Sequence, residues 1–368
     1  MPRSRIRRPD RRRNGCTGRS TPESGGRSCH DGAGADRPPV VPPAFDEPCA
    51  GEEICRDLNG IQAQFLSNSR HALAIRGCGG SEWNRGLVKS WTLRGTIHVF
   101  REKDLPLYLH EGRRHALRPC DTLEADGWIT RERKDYFASL ILDTLTGGPA
   151  TREALRQTCR SKGLTDREEE SVFQPWGGTI RALAEAGKIV HLVQEEKAFC
   201  LAPPFTPMGE EEAWREILRR YFTYCGPASL RDAAYFLGAA QRELKRRMQG
   251  LDLKEVTCGG RIYYDLGDSR TAAIPECLFL AGFDPLLLSY EKRENPCLPP
   301  QCLRGIFSLA GIVNPAVLLR GQVVARWKRT GRSLRVSPLA ELSPADLETI
   351  QAAAAECWPE ARCQIQPV

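Results

Sequence analysis

No run of apolar residues in this 368-residue chain is long enough to cross a bilayer, which excludes a helical membrane protein. The first residues are arginine-rich but lack an apolar core behind them, which excludes a secretory signal. The 15 cysteines include no C-x-x-C pair and no Cys/His cluster at zinc-ligand spacing. Their odd number and the missing signal argue against a disulfide framework and for reduced thiols in the cytoplasm. Neither a metal nor a cofactor is expected. An acidic surplus is also lacking. The net charge is +7 and the pI near 8.7, which suits a polyanionic partner, although the arginine-rich start supplies much of the excess.

What is present is organised around Gly60-Ile61-Gln62-Ala63-Gln64-Phe65. Apolar and amide side chains alternate here, and residues two apart share a side only if the backbone is extended. Gly60 is placed to end a helical turn over 52–59, and Ser67 or Asn68 to cap a helix that follows. The expectation is a taut connector that buries Ile61, Ala63 and Phe65 and points two neutral amides the other way. On these six residues alone, the plain alternative is a solvated loop.

Around this stretch the chain divides by composition. Residues 1–45 are rich in Arg, Gly, Ser and Pro and read as a disordered tail or a mis-assigned start of translation. Residues 46–129 form a first winged-helix-like unit: the connector, a short helix over 68–76, glycine breaks, helix or turn over 82–90, and a strand in the second half of 91–100. The segments 130–205 and 206–270 repeat one order. A helix, a Gly-Pro-small-Ser/Thr cap, two further helices and a β-hairpin follow one another, as in a winged helix. Residues 271–368 read as a β-rich subdomain, a small meander or half-barrel, closed by a helix that Ser343 caps and Pro344 opens. The expected class is α+β: tandem winged helices followed by this subdomain.

Three stretches together resemble the bacterial AlkZ/YcaQ-type DNA glycosylases, a winged-helix family of the HTH_42 type. They are Gly60 to Gln64, Ser90 to His98 with its Arg-Gly-Thr-x-His element, and Phe283-Asp284-Pro285 with the strands after Gly311 to Pro315. The resemblance covers roughly residues 50–340. It implies tandem winged helices curving around duplex DNA, and a Gln-hydrophobic-Gln catalytic motif that falls on Gln62 and Gln64. It also implies excision of alkylated purines and unhooking of interstrand crosslinks. The partner is then duplex DNA carrying alkylated or crosslinked bases, met by a monomer with no membrane contact. A family member should also carry an amphipathic helix or more well before the motif, and residues 1–45 supply none.

Two amides suit such a reaction. A base alkylated on a ring nitrogen is already cationic and needs no acid to help it leave. There remains a water to hold and a forming sugar cation to face with partial negative charge. With no lysine beside the motif, hydrolysis by water is expected rather than a Schiff base. Arg94 and His98 are candidates for phosphate or lesion-strand contact. Equally, Arg94 can brace the connector and His98 can be a satisfied strand histidine. Arg242, Lys245 and Arg246, on a third helix, and Lys328 and Arg329, near a hairpin tip, are candidates for DNA contact, each against the plain reading of a solvated charged face. Trp176 is expected to pack or to approach DNA, and Asp284 to serve a turn or N-cap. The alternative from another class is a non-catalytic winged-helix DNA-binding regulator.

Overall fold

A computed structural model describes residues 50–115, 127–175, 177–266 and 274–367; the 1–45 segment and Trp176 lie outside the described residues. The connector is an edge strand, β1 (Ile61–Gln62). It follows the helix Gly51–Asp57, which ends through Asn59 and Gly60, both with positive φ. Gly60 is needed there for a second reason: a Cβ would lie 3.1 Å from the Val99 carbonyl of the neighbouring strand. Asn59 ties the turn down by donating to the Ile217 carbonyl and accepting from the Tyr108 hydroxyl.

The strand β1 pairs antiparallel with β3 (Ile97–Arg101), which pairs with β2 (Leu87–Trp91). Residues 82–86 are turn, one of the two forms expected for 82–90, whereas 87–90 are strand. Leu87 to Trp91 are buried on both faces, so the alternation that marks a half-exposed strand is missing. The strand order continues through β5 (Ile189–His191) and β6 (Ala198–Leu201) to β4 (Ala150–Thr151). One six-stranded sheet thus spans the first and second segments, joined where Lys89 meets His191.

The repeated order is present in both segments. In one, the helix Arg131–Thr146 precedes Arg152–Ser161, capped by Thr151, and Gly178–Glu185 precedes the β5–β6 hairpin. An extra helix, Asp166–Val172, closed by a Thr165–Glu168 capping box, was not expected: its charged sequence offers few apolar positions to betray a period. In the other segment, Glu210–Tyr224, Leu230–Leu237 and Gln241–Arg247 precede the hairpin of β7 (Lys254–Cys258) and β8 (Arg261–Asp265). Ser229 and Asp232 form a reciprocal capping box, as the Gly-Pro-Ala-Ser stretch implied.

The C-terminal part is a five-stranded sheet in the order β13-β12-β11-β10-β9. The strands β9 (Cys277–Leu280), β10 (Ala316–Leu319), β11 (Gln322–Thr330) and β12 (Ser333–Pro338) are antiparallel neighbours. A final strand, β13 (Arg362–Ile365), adds in parallel to β12. The helix Pro344–Cys357 packs on this sheet through Ile350 and Ala354, and Ser343 caps it as expected. The class is α+β. Among the described residues no helix is long and apolar enough to cross a membrane.

His191 sits at the junction of the six-stranded sheet, its ring 4.5 Å from Phe199 and 4.9 Å from Trp91. Neither ring nitrogen has a hydrogen-bond partner among the described residues. Burial, helped by the Lys89 charge, lowers its pKa to about 3. The native state therefore keeps it neutral, while the unfolded chain takes up a proton below about pH 6.5. Stability is present above that pH and is lost as pH falls towards 3, because the unfolded state binds more protons. The His191→Phe variant should retain more of its neutral-pH stability at pH 5 than the unsubstituted protein does. Paired thermal melts at the two pH values measure this, and identical pH dependence would contradict it.

Candidate active site

Ile61 and Ala63 point into a core with Leu58, Leu66, Leu73 and Val99, as the alternation demanded. Burying the Ile61 side chain contributes about 1.5–3 kcal/mol to holding the strand in place. Phe65 does not join them. The ladder ends after Ala63, whose N–H donates to the Ile97 carbonyl, and the chain turns at Phe65 into the helix Leu66–Ala74. Leu66 takes the buried position. Phe65 is 52% exposed and stacks on Phe283, with ring centroids 6.2 Å apart. Ser67 and Asn68 lie inside the first turn of that helix and cap nothing; its N-cap is Phe65, without a side-chain bond.

Gln62 and Gln64 occupy the other side of the connector and touch each other. Gln62 Nε2 donates to Gln64 Oε1 at 3.0 Å, and Gln62 Oε1 accepts from Arg94 Nη2 at 3.0 Å. The orientation of both amides follows. An arginine can only donate, so the oxygen of Gln62 must face Arg94 and its nitrogen must face Gln64. Gln64 can then receive that bond only through its oxygen. Gln62 is 8% exposed, while Gln64 is open to solvent. The pair is thus one buried amide that holds one exposed amide. Gln64 Oε1 keeps a second lone pair, and the Arg94 charge polarises the chain of bonds behind it.

Arg94 is held by its backbone and by its surroundings. It sits in the turn between β2 and β3 with φ +57, uncommon for a residue other than glycine. Its guanidinium donates to the Phe236 carbonyl at the end of the helix Leu230–Leu237 and lies 5.3 Å from the Phe236 ring centre. Unpaired carbonyls and the negative end of the helix dipole make that terminus a natural seat for a cation. Burial lowers the Arg94 pKa to about 10, and the group remains charged near neutrality. At the same helix end Gly238 has φ +68, and a Cβ there would come within 2.9 Å of Arg94 Cγ and 3.3 Å of its Cα. Gly238→Ala is expected to lose about 1–2 kcal/mol from the left-handed backbone and to push Arg94 off Gln62. Melting curves check the first effect, and activity assays of the variant check the second. A variant matching the unsubstituted protein in both would refute the coupling.

His98 faces Gln62 across the β1–β3 ladder. It is 2% exposed, beneath Arg94, and so out of reach of a phosphate in this arrangement. Its Nδ1 lies 3.1 Å from the Thr96 carbonyl and its Nε2 3.4 Å from Arg94 Nη2. Since a carbonyl only accepts and an arginine only donates, the proton belongs on Nδ1 and Nε2 accepts. Burial, then the Arg94 charge, lowers its pKa to about 3, so it has no proton to give near neutral pH.

The remaining candidates scatter. Arg242 and Lys245 are exposed on the helix Gln241–Arg247, whereas Arg246 pairs with Glu211 and Glu243. Lys328 is exposed on β11. Arg329 pairs with Glu360 and covers the Trp358 ring. Asp284 caps the short helix Pro285–Leu288, as expected, and in addition makes a buried two-bond ion pair with Arg76. Among the described residues no cluster of His, Cys, Asp and Glu is placed to hold a metal ion. The Phe236 carbonyl and Gly238 escaped the sequence reading because they lie more than 140 residues from Arg94 and carry no motif.

A family model described as "DNA glycosylase AlkZ-like" matches residues 55–358. The interstrand DNA cross-link repair glycosylase of Streptomyces sahachiroi is 25% identical over 336 residues, covering 84% of this chain and 90% of that protein. The solved structure of the Streptomyces sahachiroi DNA glycosylase AlkZ shares the fold, with a TM-score of 0.70 and 23% identity. That match covers 89% of this chain and 94% of the other.

Proposed function

Because the chain belongs to the AlkZ-like DNA glycosylase family, we propose that it removes purines alkylated on a ring nitrogen, with Gln62 and Gln64 as its catalytic pair. It is a DNA glycosylase, a hydrolase of N-glycosidic bonds. The observation that carries the proposal is the fixed chain Arg94–Gln62–Gln64, which ends in an exposed amide oxygen.

The roles follow from the chemistry. Gln64 Oε1 accepts a hydrogen bond from a water and so turns the water's lone pair towards the anomeric carbon. The same oxygen places partial negative charge beside the sugar as positive charge develops there. Gln62 fixes the rotamer of Gln64, and Arg94 fixes Gln62. His98, neutral and buried, positions Arg94 and does not touch DNA. An amide is no effective general base near neutral pH, so the reaction needs a leaving group that is already cationic. N7- and N3-alkylpurines meet that need and undamaged bases do not. Excision on one strand of a purine–purine adduct also severs an interstrand link, which extends the reading to crosslink unhooking. The two helix–hairpin segments, 130–205 and 206–270, serve as winged helices of a monomer on duplex DNA. Arg242, Lys245 and Lys328 meet the phosphate backbone.

The test is a release assay on duplexes carrying N7-methylguanine, a neutral lesion, an N7–N7 crosslink or no damage. Free N7-methylguanine should appear together with abasic strand, and neutral lesions should react far more slowly. Equal rates on cationic and neutral lesions would overturn the reading.

A further inference from the structure

A groove of about 950 Å³ opens directly beyond the catalytic connector. One wall is aromatic and apolar: the exposed Phe65, Phe283 stacked on it, and Ile312, which is 40% exposed. Phe65 follows Gln64 in the chain, so this wall begins one residue from the working amide. The opposite wall is the outward face of the β11–β12 hairpin. There Lys328 stands directly across from Arg335, and Arg326 lies two residues along on the same face. All three are exposed, and none makes an ion pair among the described residues.

Like charges directly opposed on a strand pair destabilise it. Two neighbouring arginines of this part of the chain are met by acids, Arg329 by Glu360 and Arg320 by Asp346. The groove face carries three cations and no such answer. A basic wall facing an aromatic one fits a phosphodiester strand whose base has left its stack, with phosphates on the cations and the base face on the ring. A paired duplex offers no free base face, and a neutral small molecule has no use for the cations.

We propose that this groove is a nucleic-acid subsite for an unpaired nucleotide, stacked on Phe65 and held through its flanking phosphates by Arg326, Lys328 and Arg335. The inference rests on the DNA glycosylase reading above and adds to it a preference for DNA in which a nucleotide beside the lesion is unpaired.

The experiment is a fluorescence-anisotropy titration of the full chain with two labelled oligonucleotides, a fully paired duplex and the same duplex with one unpaired nucleotide. The unsubstituted protein should bind the second about tenfold more tightly, the scale of one base–aromatic stack. Phe65→Ala and Phe65→Leu should abolish most of that preference. The Lys328→Glu/Arg335→Glu double variant should weaken the unpaired complex more than the paired one. Gln64→Ala should keep the preference while losing base release. The inference is overturned if the unsubstituted protein shows no preference, or if every groove variant weakens both complexes equally. Failure of the catalytic reading looks different: Gln64→Ala would release base at the unsubstituted rate, whatever the groove does.

Discussion

Gln64→Ala is expected to slow release of N7-methylguanine from duplex DNA about 10²- to 10³-fold, the effect of removing one preorganised transition-state contact, while leaving the melting temperature unchanged. The separation of rate from stability follows from position. Gln64 is exposed and its side chain packs against no core, so its removal opens no cavity. Gln62→Ala should slow the reaction to a similar degree, because Gln64 loses the donor that fixes its rotamer. It should also destabilise the protein, because Arg94 then keeps its charge with one acceptor fewer in a largely buried site. Gln64→Asp tests the chemistry from the other side. A carboxylate activates water and faces a sugar cation more strongly than an amide, so this variant should gain relative activity on neutral lesions. Single-turnover rates on cationic and neutral lesions, with melting curves for each variant, supply the measurement. Unchanged rates in both alanine variants would remove the two glutamines from the mechanism.

The part of this site that the sequence revealed is the part whose physics is local. A period of two over Ile61 to Gln64 requires an extended backbone, and Gly60 before it requires a turn; both are present. The same pattern misled at Phe65. Alternation tells which side a residue takes only while the ladder lasts, and the ladder stops at Ala63. Leu87 to Trp91 went unseen as a strand for a related reason: a strand buried on both faces has no alternation to read. The caps at Thr151, Ser229 and Ser343 were legible because a capping side chain bonds within three residues of itself. Nothing local announces that Arg94 reaches the Phe236 carbonyl, or that β13 adds in parallel to β12. These contacts belong to the packing of distant segments. So does the choice between DNA contact and a satisfied strand position for His98, which only its burial beneath Arg94 informs.

Asp284→Ala is expected to cost about 3–5 kcal/mol, the largest stability effect of these single changes, because it removes the carboxylate that a buried guanidinium bonds twice. Arg76 and Asp284 are 1% and 0% exposed. Arg76 Nη2 donates to Oδ1 at 2.8 Å and Nη1 to Oδ2 at 3.1 Å, while Nη1 also donates to the Ala72 carbonyl. Asp284 Oδ1 additionally accepts from the Leu286 N–H as the cap of its helix. Removing the carboxylate therefore deprives the guanidinium of both its charge partner and two bonds, and unmakes the cap. Asp284→Asn keeps the cap acceptor and one bond to Arg76, and should lose less. The double variant Arg76→Met/Asp284→Leu removes both charges together and should recover much of the loss, since a buried pair replaced by apolar groups of similar volume is often tolerated. Denaturant midpoints for the three variants order the effects. If Asp284→Ala proves as stable as the unsubstituted protein, the pair is not what locks this junction. The pair also bears on function through its neighbours. Arg76 follows the helix that begins at Phe65, and Asp284 follows Phe283, whose φ of +58 is a conformation the surrounding bonds must enforce. The ion pair therefore ties the helix that Phe65 precedes to the segment that carries Phe283. Asp284→Ala, assayed at a temperature where it remains folded, should bind DNA with an unpaired nucleotide less selectively while its Gln62–Gln64 pair still releases base.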